Sequence, residues 1–525
     1  MADRRLIALA ALLLSCGEPG APPALGSSSA SGASQSASAR PLESGGLDSS
    51  ARPASSSSAS NSGSTSATVP EKAARWLGRV RIPSAMPLEF GLDVTPGTAP
   101  SASMDIPSQR VKGASLSNVA FTEGGEVAFT LELPGVLAKF KGRFTSDGSR
   151  VEGTFEQSGV TMPAYLRRLG EGESVEDAKR PQTPAAPYPY DEVQASYTSK
   201  DGTKLGGTLT LPKGEGPFPA VVLVTGTGEQ DRDETLFGHK PFLVLADHLT
   251  RAGIAVLRVD DRGVGDSGGS TAAATIADKV DDAAAGLTWL ASQPRIDAKK
   301  LGVLGHSEGG LIAPLVATRA GEPRVAFVVL LGAPGVDGPV LLRKQMESTL
   351  RAQGASPERI KIGMDGQNKV IDAVVANASD DALRVIATAQ IDAILGLASK
   401  AERERIGERG RQAMIEVSMA QVASPAMRSF IQSSPKKALE KLACPVLALD
   451  GSMDLQVAAD DNIPAIRAAL ERGKNPDFTA EIVAGRNHLF QIAELGTMEE
   501  WAYLDQTMDP AVLEKISAWV VAHTR

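Results

Sequence analysis

Cysteine and histidine are both scarce in this 525-residue sequence, which holds two of the first and five of the second, and aromatic residues make up only 4% of it. Two cysteines cannot build a disulfide framework. No group of Cys, His and carboxylates has the spacing of a zinc site, so no metal or other cofactor is expected. Basic residues are not in excess: 54 Lys and Arg stand against 62 Asp and Glu, a net charge of −8. Such a chain has no positive field with which to neutralise phosphates, which excludes nucleic acid as a partner. Cys444, between Ala443 and Pro445 before an apolar run, reads as a small buried hydrophobe rather than a reactive thiol. The length calls for two or three domains plus linkers.

What is present begins with an address. Arg4 and Arg5 precede an apolar stretch from Leu6 to Leu14, about right for the core of a signal peptide and too short to span a bilayer. It ends Leu13-Leu14-Ser15-Cys16-Gly17, a lipobox-like segment, so residues 1–16 are expected to direct export and Cys16 to become the lipidated first residue. An ordinary secretory signal cut nearby is the alternative. The expected location is the cell envelope, on the periplasmic side of a membrane or at the cell surface, with the membrane as a partner through the lipid anchor. Residues 17–70, rich in Ser, Ala, Gly and Pro, cannot bury enough apolar surface to offset ordering entropy and read as a tether.

Residues 71–170 carry short alternating runs between Gly, Pro and Asp-Gly turns. Val127, Phe129, Leu131 and Leu133 alternate with polar or small neighbours, and Phe140 and Phe144 lie opposite Lys139, Lys141 and Arg143. A small antiparallel β sandwich or barrel is predicted, with no catalytic constellation and a structural or substrate-restricting role. A Pro-rich linker at 171–190 follows, and then, over 191–525, apolar strand runs alternate with helical patterns as in βαβ units. The fold class is therefore α/β, a parallel sheet covered on both faces. After Gly332-Ala333-Pro334-Gly335 this rhythm lapses, and about 337–440 reads as a helical insertion lying over the carboxyl end of the sheet as a cap. The run Ala401-Glu402-Arg403-Glu404-Arg405 reads as a solvated helix face.

The chemistry-bearing motif is Leu301-Gly302-Val303-Leu304-Gly305-His306-Ser307-Glu308-Gly309-Gly310. A buried strand runs into Gly-x-Ser-x-Gly and on into a helix, the tight turn that projects a serine hydroxyl for acyl transfer, with small residues where a side chain would clash. Serine is a weak nucleophile and needs a neighbouring base. Of the five histidines only His488 sits in a loop after a late strand, Phe478 to Val483, which satisfies the chain order serine, acid, histidine. The acid is expected just after the run Val446–Leu449; Asp454, in the loop, is preferred to Asp450, which closes the strand. The developing oxyanion needs two N–H donors, one from Glu308 and one from the loop Thr225-Gly226-Thr227-Gly228, where Thr227 is nominated with Gly228 as the near alternative.

Together the loop from Gly226 to Glu234 (GTGEQDRDE), the turn Asp260-Asp261-Arg262-Gly263, the elbow GHSEGG and the segment Asn487-His488-Leu489 resemble those of a bacterial family of α/β-hydrolase esterases, over about Tyr188 to Arg525. The resemblance implies the α/β-hydrolase fold and hydrolysis of carboxylic esters with short to medium acyl chains, with the triad on Ser307, Asp454 and His488. It implies a small-molecule ester as partner. Thr227 stands where the family often has serine, which leaves the backbone donor in place. Asp261 and Arg262 are expected to stabilise the fold. The same triad would serve a serine peptidase or a thioesterase, and a catalytically inactive envelope-binding lipoprotein is a further alternative.

Overall fold

The computed structural model describes residues 73–525 apart from 83–85, 110, 123–124, 134–135, 158, 171–172, 174–179 and 322. The export signal, Cys16 and the tether to residue 70 lie outside the described residues, as does most of 171–179.

The first eight strands are β1 (Ala74–Val80), β2 (Leu88–Thr95), β3 (Ser101–Ile106), β4 (Val111–Phe121), β5 (Glu126–Leu133), β6 (Val136–Phe144), β7 (Arg150–Gln157) and β8 (Val160–Arg168). Each pairs antiparallel with the next, and β1 pairs back with β8, so the sheet closes into a barrel rather than folding into a sandwich. Alternation decides what fills it. Phe129, Phe140 and Phe155 stand in register on β5, β6 and β7, and with Trp76, Phe90 and Met104 they pack the interior solid.

Strands β9 (Asp191–Thr198), β10 (Lys204–Leu211), β11 (Phe218–Val224), β12 (Ala255–Val259), β13 (Ile296–His306), β14 (Phe327–Leu331), β15 (Val446–Gly451) and β16 (Phe478–Val483) form a second sheet. Its order is β9-β10-β12-β11-β13-β14-β15-β16, antiparallel at the β9 edge and parallel from β12 onward. Neighbouring residues in the central strands bury on opposite faces: Val222, Val303 and Val328 on one, Leu223, Leu304 and Val329 on the other. Helix α1 (Pro241–Arg251) covers the second face, and α2 (Ile276–Ala291) and α3 (Glu308–Ala317) the first. Burying each such aliphatic side chain is worth about 1.5–3 kcal/mol, which is why both faces must be covered.

The insertion consists of α4 (Gly338–Ala352), α5 (Pro357–Val375), α6 (Asp380–Gly396), α7 (Lys400–Val422), α8 (Pro425–Ile431) and α9 (Lys436–Lys441). Four of these start on a serine: Ser356, Ser379, Ser399 and Ser424 each accept a hydrogen bond from the backbone N–H three residues on. Such caps stabilise a helix by about 1 kcal/mol each and fix where it begins. Ser429 on α8 accepts from Ile276 N at 3.0 Å, docking the insertion on the head of α2. Arg403, Glu404 and Arg405 on α7 are exposed. The chain ends with α10 (Ala459–Arg472) on the first face, a short α11 (Met498–Tyr503), and α12 (Pro510–Ala522) on the second.

Candidate active site

Strand β13 delivers its last residue, His306, to the carboxyl end of the sheet, and the chain turns into α3 within one residue. That residue is Ser307, held at φ 53° and ψ −120°. A left-handed conformation costs a non-glycine residue on the order of 1–3 kcal/mol, and such strain persists where the surroundings enforce it. Here they do. A Cβ on Gly305 would stand 2.0 Å from Gly309 O, and one on Gly309 would stand 2.1 Å from Val224 O. Gly309→Ala should therefore lower the denaturant midpoint by an amount equivalent to about 1–3 kcal/mol or more, the usual cost of overpacking, and an unchanged midpoint would show that the turn can relax.

Ser307 lines an open cleft of about 600 Å³ with Thr227, Glu234, His306, His488 and Trp501, closed from above by Leu341 of α4 and Phe430 of α8. Among the described residues Ser307 Oγ has no hydrogen-bond partner. Catalytic contacts are often loose before substrate arrives. His488, in the loop after β16, places Nδ1 2.6 Å from Asp454 Oδ2. The other oxygen of Asp454 accepts from the N–H groups of Gln456 and Val457 at 2.7 and 2.8 Å. Trp501 of α11 stacks on the imidazole, with ring centroids 5.8 Å apart and planes 24° apart.

Asp450 has a different environment. It is fully buried, and one oxygen accepts from Gly451 N at 2.8 Å. Among the described residues the other finds no N–H or O–H donor, and Asp454 is its charged neighbour. Burial, followed by the negative charge of Asp454, holds this carboxyl well above the usual range. Of the two acids, the structure brings Asp454 to His488.

The two nominated oxyanion donors are arranged differently. Glu308 opens α3, where a first-turn N–H has no acceptor within the helix. Its buried side chain turns away to Lys279 Nζ at 3.0 Å. On the opposite loop Gly226 N is already committed to Glu234 Oε1 at 2.8 Å, while among the described residues Thr227 N has no acceptor. Asp261 accepts from Thr225 Oγ1 at 2.6 Å and Gln230 N at 3.2 Å, pinning both ends of that loop, and its burial pushes the carboxyl up to about 7. Arg262 pairs with Asp201 and Asp282 away from the cleft.

Glu234 and His306 were not among the expected site residues. Both stood inside the quoted motifs, and a carboxylate and an imidazole bracketing the elbow were the available signal. His306 Nδ1 lies 2.9 Å from Glu234 Oε1 and Nε2 lies 3.0 Å from the carbonyl of His488. A carbonyl oxygen only accepts, so Nε2 carries a hydrogen, and Glu234 stands opposite the other ring nitrogen. Burial opposes a positive charge on the ring, but the adjacent Glu234 outweighs it and raises the histidine above its ordinary value. The ring thus braces the loop before α1, the elbow and the base loop. Its contribution to stability is fully present below the ordinary histidine pKa and is lost as the pH rises through the raised native value. Nitrogen-15 NMR should show both ring nitrogens of His306 protonated at a pH where free histidine is neutral, with the second proton lost earlier in Glu234→Gln. A neutral ring in the unsubstituted protein would remove the brace.

Of the other histidines, His239 is buried between Thr507 Oγ1 and Trp501 O, and burial pushes it down to about 3. His248 and His523 bond Ser517 and Asp477 at the periphery. Among the described residues no group of His, Cys, Asp and Glu could hold a metal ion.

Residues 201–486, which include the elbow, the acid loop and the start of the base loop, match the family of X-Pro dipeptidyl-peptidases (S15 family). The chain belongs to this family. It is also similar to esterase EstD of Thermotoga maritima, 38% identical over 135 residues, which are 25% of this chain and 32% of EstD. An uncharacterised 31.7 kDa protein of Escherichia coli is 29% identical over 147 residues, 28% of this chain and 47% of that one. The chain thus spans about a third and about half of the lengths of these two curated relatives. Among solved structures, Pyrococcus furiosus esterase Pf2001 matches with a TM-score of 0.36 at 16% identity, over 64% of this chain and 92% of that one. An esterase from Exiguobacterium antarcticum matches with 0.36 at 15%, over 63% and 99%. This family member has the α/β-hydrolase fold, with an all-β barrel before it.

Proposed function

We propose that the chain hydrolyses uncharged carboxylic esters of short to medium acyl length through an acyl-enzyme on Ser307. In this reading His488 takes the hydroxyl proton and returns it to the leaving alcohol, and Asp454 holds the imidazole tautomer and stabilises the imidazolium. The N–H groups of Thr227 and Glu308 receive the oxyanion, and water then repeats the sequence on the acyl-enzyme. The observation that carries the ester reading is the charge balance of the cleft. Glu234, a carboxyl group lining it, is already engaged by His306 Nδ1 at 2.9 Å and Gly226 N at 2.8 Å, and the remaining wall is largely apolar or amide. A neutral carbonyl compound suits such a wall better than an ammonium group does.

A second reading, removal of amino-terminal dipeptides, is favoured by the family and by one atom. Glu234 Oε2 is buried without a partner among the described residues and could accept a substrate N–H. Turnover of a p-nitrophenyl ester series beside dipeptidyl anilides ending in proline separates the two. Ester turnover with inert anilides is expected, and preference for the anilides would replace the esterase by a peptidase.

A further inference from the structure

On β1 the side chains of Trp76 and Val80 enter the barrel core, so alternation places Arg79 on the outer wall, yet it is 0% exposed. The hydrolase domain covers it. Arg79 Nη1 donates to Asp505 Oδ1 at 2.7 Å and to Tyr503 O at 3.0 Å, and Nε donates to Glu89 on β2 at 2.8 Å. Tyr165 on β8 donates to the same Asp505 oxygen at 2.8 Å, and its ring meets that of Tyr503 edge-on at 5.2 Å. A buried ion pair adds little net stability, because desolvation offsets the attraction; its better-attested use is to fix one geometry out of several.

What it fixes here is the wall of the cleft. Tyr503 ends α11, and two residues earlier Trp501 lies on the imidazole of His488. Next to Asp505, Gln506 O accepts from Gln491 Nε2 at 2.7 Å, and Gln491 is bonded in turn to Asn487, the residue before His488. The barrel's own interior is lined by buried apolar side chains, among them Trp76, Phe90, Phe129, Phe140 and Phe155.

We propose that the N-terminal barrel is a positioning module for the active site, in which Arg79 and Tyr165 hold the 501–506 segment so that Trp501 and the base loop stay in their productive places. This rests on the proposed role of His488, and Arg79 and Tyr165 act only through that segment. The module would explain why an all-β domain without chemistry of its own accompanies the hydrolase.

The test uses the full chain with Arg79→Lys and Tyr165→Phe, each in a Trp519→Phe background, because Trp519 stacks on His523 at 4.0 Å and would add its own pH-dependent signal. Protonated imidazole quenches a stacked indole, so Trp501 fluorescence should fall on acidification while the two rings stay stacked. We expect both substitutions to reduce that quenching and to lower kcat on a short ester about tenfold or more, since small misplacement of catalytic groups is costly, with less effect on KM. Should Arg79→Lys fail to fold, Tyr165→Phe, which removes one hydroxyl, decides alone. Unchanged quenching and kcat, even with a lower melting temperature, would reduce the barrel to a stabilising appendage and overturn the proposal. If no ester is turned over by any form, the esterase reading fails, and the fluorescence titration still judges the positioning.

Discussion

Alanine at position 307 should cut ester turnover by about a millionfold, leaving only the rate supported by oxyanion donors and binding, as when a serine hydrolase loses its nucleophile. Folding should be unaffected. Ser307 Oγ has no hydrogen-bond partner among the described residues, so its removal leaves no buried group unsatisfied, and alanine meets the same backbone strain at φ 53° as serine does. The discriminating measurement pairs steady-state kinetics with labelling by a fluorophosphonate, which reacts only with an activated serine. Both signals should vanish in Ser307→Ala while the melting temperature stays within a degree or two of the parent's, the ordinary scatter of a surface change. Retained turnover with an intact fold would move the nucleophile elsewhere and take the whole triad with it.

The second large effect separates two acids four residues apart. Asp454→Asn should lower kcat by about ten-thousandfold, because an amide opposite His488 Nδ1 favours the wrong tautomer and removes the charge that stabilises the imidazolium. Asp450→Asn should cost no more than a few-fold. Asp450 is fully buried beside Asp454 without touching His488, and asparagine fills the same place with no charge to desolvate. Equal losses in the two variants would mean that Asp450 carries functional charge, and that its burial has been misread. A large loss in Asp450→Asn alone would exchange the roles of the two residues.

Much of the site could be read in the linear chain because its geometry is local. A strand, a Gly-x-Ser-x-Gly turn and a helix are contiguous, and the steric need for Gly305 and Gly309 is set within a few residues of Ser307 and by the neighbouring strand. His488 could be singled out because few histidines compete and one alone follows a late strand. The choice of Asp454 over Asp450 was weaker ground, since both stand at the same strand end. Tertiary burial supplies the physical difference, leaving one oxygen of Asp450 without a donor among the described residues and giving Asp454 two backbone N–H groups and an imidazole. Barrel closure was equally out of reach, because alternation marks a strand's two faces without saying which strand meets the first.

The elements, their order and the elbow are legible in the linear chain, because backbone periodicity, turn sterics and capping act over a few residues. That Glu234 and His306, 72 residues apart, meet behind the elbow, and that Arg79 reaches Asp505 across 426 residues, emerges only from packing. Pairings of that kind are chosen by desolvation: a buried charge must find a partner, and which partner stands within reach is a property of the packed chain.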